Sequence, residues 1–206
     1  MNKVIIKTAI ITFLSLVVAF ILGVIGIYAF APRLAGGYCY ELGLKNMATE
    51  CYERVYSKTG EFDDLVELVN SAIYAENDGV TSVYGEEMIE RKSDFKNFCD
   101  KQIDENFQEG DYSTYDYYVN ATMLAKYSLG NKQEAIEFAF SCALKSAGYT
   151  EHSALKMLVN MIETDESLGD IISEFYNAMT PPEQKYSFSG HVEFRNDMNN
   201  LGYTVS

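Results

Sequence analysis

The sequence predicts an all-α protein: a single N-terminal transmembrane helix followed by an α-α solenoid of about four helical hairpins. Three observations carry this prediction. An uncharged apolar run of about 24 residues lies near the N-terminus. Beyond it, apolar residues recur at helical spacing. Turn signals return at a nearly constant interval, near Gly60, Ser93, Gly130 and Asp165.

Composition sets the class. Of 206 residues, 48% are hydrophobic and 14% aromatic, enough for a core, and only 3 prolines interrupt the chain. Thirty acidic residues against 16 basic ones give a formal net charge of −14. Phosphate backbones and anionic lipid surfaces repel such a chain, so nucleic acid is not an expected partner. The balance suits solubility, or a protein or peptide partner with a basic face.

The anchor comes first. From Thr8 to Ala31 no residue is charged, and a helix of about 24 residues spans roughly 36 Å, enough to cross a hydrocarbon core with some tilt. Backbone groups in lipid must bond internally, which a helix achieves alone. Tyr28 is placed at the far interface, Pro32 ends the helix and Arg33 marks the aqueous edge. Ala29-Phe30-Ala31 has the small-x-small pattern of a signal-peptide cleavage site, but the run exceeds a usual h-region and Pro32 would follow the cut. An uncleaved anchor is the preferred reading. A pilin-like segment is rejected, because the glycine, phenylalanine and glutamate that open such helices are missing. Lys3 and Lys7 place the N-terminus in the cytoplasm and the rest outside. The expected division is a stub at 1–7, an anchor at 8–32, a repeat domain at 33–180 and a capping helix or mobile tail at 181–206.

The repeats follow. Tyr52 to Ala72 reads as helix, Gly60 turn, helix, and Leu124 to Cys142 is built the same way around Gly130. A turn at Ser93-Asp94-Phe95 falls between them, followed by Phe98, Cys99 and Ile103 at helical spacing. A fourth unit pairs Ala154, Leu155, Leu158, Val159 and Ile162 with Leu168, Ile171, Ile172, Phe175 and Tyr176 across Thr164-Asp165. Ser113-x-x-Asp116 predicts a helix start, and Thr150-Glu151 predicts another. Thr180-Pro181-Pro182 ends the last hairpin, and Val192, Phe194, Met198 and Leu201 have the spacing of one more short helix.

Residues 118–145 resemble a tetratricopeptide repeat, with Ala135, Ala139 and Cys142 at the small or aromatic positions of the second helix. Residues 49–76 are similar, with Leu65 and Val69 in place of the usual alanine and aromatic residue. The units between and after match in hairpin length and apolar spacing, and the usual tryptophan and inter-repeat proline are absent. The resemblance implies a concave surface for protein contacts.

Motifs for chemistry are sparse. The chain has no GxSxG, Walker-type loop, HExxH, calcium loop or CxxC. Its histidines, His152 and His191, stand far apart, and Cys39, Cys51, Cys99 and Cys142 show no zinc-ligand spacing. Core packing is expected for the last three cysteines, with two disulfides open as the alternative. Adjacent acidic pairs such as Asp63-Asp64, Glu86-Glu87 and Asp104-Glu105 are expected on solvated helix faces. Asn120-Ala121-Thr122 forms a glycosylation sequon on a predicted helix. No catalytic residue, cofactor or metal is assigned.

Tyrosine is the anomaly, with 16 in the chain. Tyr112, Tyr115, Tyr117 and Tyr118 crowd seven residues beside Asp111 and Asp116. Packing between repeats explains them; a recognition surface at Tyr112, Tyr115, Asp116 and Tyr118 is the functional alternative. The expected function is a non-enzymatic, membrane-tethered scaffold that binds a protein or peptide outside the cytoplasm. A ligand-sensing ectodomain is the second reading, and an enzyme with an unrecognised site the third.

Overall fold

The computed structural model describes residues 2–106, 113–145 and 153–205. Among these residues there are twelve helices and no strand. Two compact units divide the chain, Met1–Ala75 and Glu76–Ser206.

The first unit begins with α1 (Asn2–Phe30). Within it Ile10–Phe30 has a mean hydropathy of 2.9 and contains no buried residue. Twenty-one residues at 1.5 Å each make about 31 Å, long and apolar enough to cross a bilayer. Ala31 leaves the helical region (φ −131°, ψ 61°), and Pro32 then opens α2 (Pro32–Glu41) from the first-turn position where its missing N–H costs nothing. Proline therefore ends one helix and starts another. Gly36-Gly37 is a poor helix signal, yet a helix forms here. Gly36 is required for packing: a Cβ there would stand 3.2 Å from both the Cys51 Cβ and the Tyr52 ring.

Helix α3 (Lys45–Thr59) stops at Gly60, whose left-handed φ of 63° suits glycine and lets its N–H bond the Tyr56 carbonyl. Helix α4 (Phe62–Tyr74) buries Leu65, Leu68, Val69 and Ala72 along one stripe. Burying each larger side chain contributes about 1.5–3 kcal/mol. This hairpin turns where expected. Asp64 is buried at its start, accepting hydrogen bonds from Arg33 of α2 and from the Thr59 hydroxyl (2.6 Å). Glu50 and Arg54 of α3 meet the end of α1. Tyr28 donates to Glu50 Oε2 at 3.0 Å, and Arg54 donates to the carbonyls of Tyr28 and Ala29 at 3.1 and 3.3 Å. A cation thereby satisfies carbonyls that a helix C-terminus leaves open.

The second unit holds α5 (Asp78–Glu90), α6 (Lys92–Asn106), α7 (Ser113–Ser128), α8 (Lys132–Lys145), α9 (Ser153–Thr164) and α10 (Leu168–Met179), then α11 (Pro182–Ser187) and α12 (Ser189–Asn200). Asn77 caps α5 by accepting from the Val80 N–H. The break between α5 and α6 falls at Arg91, two residues before the expected Ser93 turn. Asp94 in the first turn of α6 bonds the Arg91 side chain at 2.9 Å, so Ser93 and Phe95 belong to the helix. Turns at Gly130 and Asp165 stand as expected, and α7 begins at Ser113. The Thr150-Glu151 helix start lies outside the described residues.

Alternate helices pack together, α5 on α7 and α7 on α9, as stacked hairpins require. Close approach of α5 and α7 depends on Gly85, where a Cβ would overlap the Thr122 hydroxyl. The segment after Pro182 folds as a cap: Phe194 of α12 stacks with Tyr176 and Phe140 at ring distances of 4.8 and 6.1 Å, and His191 and Met198 are buried beside it. Its tail is pinned to α10, where Ser173 donates to the Thr204 carbonyl at 2.6 Å and the Tyr203 ring covers Gly169.

Candidate functional site

Near the C-terminal end of α7, Lys126 leaves solvent almost completely, its side chain 2% exposed. Its Nζ donates to Glu86 Oε2 of α5 and to Glu134 Oε1 of α8, both at 2.6 Å, and stands 5.5 Å from the Phe138 ring centre. Burial, the largest effect on the ammonium, pulls its pKa down. The hydrogen bonds from Glu134 and Glu86 and their charges outweigh it and hold the pKa above the ordinary lysine value. Lys126 is therefore cationic at neutral pH.

Above this ion triad opens a cleft of about 450 Å³. Helix α5 lines it with Ser82, Val83, Glu86, Glu87 and Glu90, which share one side of the helix. Leu129 and Asn131 of the α7–α8 turn and Glu134 of α8 close it. Four carboxylates face one ammonium, so three negative charges are in excess. Val83 and Leu129 are exposed apolar residues on the walls. Such a site repels anions and suits a cation carried on an apolar stem, as in lysine or arginine. Glu86 and Glu87, expected on a solvated face, both border the cleft.

The tyrosine cluster sits elsewhere on α7. Tyr118 is buried, with its ring 6.0 Å from Phe95 in an edge-on contact. Tyr115 is half-buried, 5.6 Å from the Phe95 ring, and donates a long 3.5 Å hydrogen bond to the Cys142 carbonyl. Burial, with Cys142 adding, raises its hydroxyl well above the ordinary tyrosine value. Asp116 is half-buried, Tyr117 is exposed, and Tyr112 lies outside the described residues. Where it is described, the cluster packs α6 and α7 together.

All four cysteines are free thiols; Cys39, Cys51 and Cys142 are buried and Cys99 half-buried. Burial pushes Cys99 up to about 12 and Cys142 to about 11, which makes both poor nucleophiles. The sequon residue Asn120 lies within α7 and its amide donates to the Ser153 hydroxyl at 3.1 Å. Of the two histidines, His191 is buried and His152 lies outside the described residues. Among the described residues, no three of His, Cys, Asp and Glu gather as a metal-ligand set.

Sequence reasoning missed the Lys126 triad because its members are 8 and 40 residues apart with no local motif. Compared with known proteins, the chain matches no family model, no curated protein and no solved structure.

Proposed function

We propose that this chain is a single-pass membrane protein whose helical domain, outside the cytoplasm, is a non-enzymatic interaction module for a basic peptide segment of a partner protein. The acidic cleft at Lys126 carries the reading: an excess of carboxylates beside the exposed apolar Val83 and Leu129. The span at Ile10–Phe30 supplies the anchor, and Lys3 and Lys7 before it favour a cytoplasmic N-terminus. A tetratricopeptide-like relationship is part of the proposal. Its support is the return of hairpin turns, the contacts of alternate helices, and the small buried Ala135 and Ala139 at the α8 packing face.

The test uses the full chain in lipid nanodiscs and a short fluorescein-labelled peptide of lysine, leucine and alanine, followed by anisotropy. Binding should weaken as salt rises and fall about tenfold or more when Glu86, Glu87 and Glu90 are changed together to glutamine. A control with the exposed Glu61, Asp63 and Glu67 changed to glutamine should bind as the parent does. Equal losses in both variants would reduce the effect to net charge and sink the cleft as the site.

A further inference from the structure

We infer that α2 is an interfacial helix, lying along the bilayer surface with one face in the lipid headgroup region. Its two faces differ sharply. Ala35, Gly36 and Cys39 are buried within the protein. Leu34, Tyr38 and Leu42, spaced i, i+4 and i+8 on the other side, are 62%, 61% and 73% exposed. Leu44 and Met47, around the start of α3, are exposed apolar residues as well. In water such a stripe is unfavourable; at a membrane surface each side chain gains from burial, and tyrosine places its ring in the apolar zone and its hydroxyl among headgroups.

The position of α2 selects lipid as the occupant. Only Ala31 separates it from the end of α1, and the non-helical backbone there lets the chain change direction where the span leaves the hydrocarbon. Glu50 and Arg54 bond α3 to α1 at Tyr28 and Ala29, which holds the α2–α3 hairpin at the same level as the end of the span. Arg33 turns to the buried Asp64, and by helical spacing the exposed Glu41 borders the stripe on the Leu34 side. The apolar stripe drives the contact, so it needs no anionic lipid and is compatible with an acidic chain. A contact of this kind fixes the first unit against the bilayer.

The inference rests on α1 being a membrane anchor, and the test separates the two. Full chain is reconstituted in phosphatidylcholine vesicles containing a lipid with a diazirine near the headgroup end of its acyl chain, illuminated, and mapped by peptide mass spectrometry. Adducts are expected on residues 32–47 as well as 10–30. Changing Leu34, Tyr38 and Leu42 together to glutamine should lower the adducts on 32–47 by about fivefold or more and leave those on 10–30 in place. Circular dichroism of that variant should match the parent. Adducts confined to 10–30 overturn the inference and leave the anchor standing. Absence of adducts from both segments overturns anchor and inference together. In a parallel sample with a benzophenone side chain placed at position 38 of the chain, cross-links between two copies, without lipid adducts on 32–47, assign the stripe to a second copy and also overturn it.

Discussion

The two ends of α7 do different work. Toward its N-terminus, Tyr115 and Tyr118 meet Phe95 and Phe98 of α6 in an aromatic seam. Toward its C-terminus, Lys126 joins Glu86 and Glu134 beneath an open acidic cleft. In the sequence the tyrosines stand out and the lysine does not. Aromatic residues crowd together because burying their large rings stabilises the hairpin stack, and that demand uses them up. A buried cation needs carboxylates, and wherever those exceed it in number a field is left for a partner.

Removing a ring tests the seam hardest. Tyr118→Ala should cost about 3–5 kcal/mol, lowering the melting temperature by roughly 2–4 °C per kcal/mol, as followed by circular dichroism. The protein that remains folded should still bind the lysine-rich peptide. A melting point near the parent value would show that the seam does not hold the helices.

Between the two ends lies the crossing of α5 and α7. Gly85→Ala forces a methyl into the Thr122 hydroxyl, with an expected loss of about 1–3 kcal/mol in urea unfolding. Thr122→Ser leaves the overlapping hydroxyl in place, whereas Thr122→Ala should recover part of the loss in the double variant. No recovery would break the assigned contact.

At the charged end the effects on stability and on binding should have opposite signs. Glu86 and Glu134 are 40% and 55% exposed, so solvent screens the triad and Lys126→Met should cost only about 1 kcal/mol. The same change removes the cation from the cleft and should tighten peptide binding by about threefold to tenfold at low salt. Weaker binding would break the assignment of the cleft as a site for a cationic segment. Because the folded pKa of Lys126 lies above its unfolded value, the triad's contribution is full below the unfolded pKa. It is lost as pH rises through the folded one. The stability difference between Lys126→Met and the parent should therefore persist through neutral pH and shrink only in strongly alkaline solution.

The smallest effect is expected at the neighbouring turn. Asp165 accepts from Lys132 and the Ser167 hydroxyl, each at 2.5 Å, and these bonds lower its pKa to about 2. Its contribution is full above the unfolded carboxylate value and is lost as pH falls through about 2. Carbon-13 NMR of the Asp165 carboxyl should show a titration below that of an ordinary aspartate, and Lys132→Met should move it back up. An unchanged midpoint in that variant would separate the turn from α8.

Much of the architecture was legible. The uncharged run Thr8–Ala31 became the core of α1, and the Gly60, Gly130 and Asp165 turns stand where expected. These are local signals: an apolar stripe of period 3.6 and a glycine that can take positive φ act within a few residues. Helix α2 was hidden because Gly36-Gly37 weakens the helical signal, although Gly36 exists for the close contact with Cys51 and Tyr52. The break at Arg91 was misplaced because Ser93 and Asp94 are turn formers that also suit the first turn of a helix.

Sequence by itself determined that the chain is helical, where three of its hairpins turn (Gly60, Gly130 and Asp165), and that one segment is apolar on every side. All of these depend on neighbours within two helical turns. Only the tertiary structure decided which tyrosines go inside, that α12 closes on Tyr176 and Phe140, and that Lys126 is buried between carboxylates 8 and 40 residues away. The physical reason is range. Helical periodicity is written along the chain, whereas the partners of a buried charge or ring are chosen by how hairpins stack.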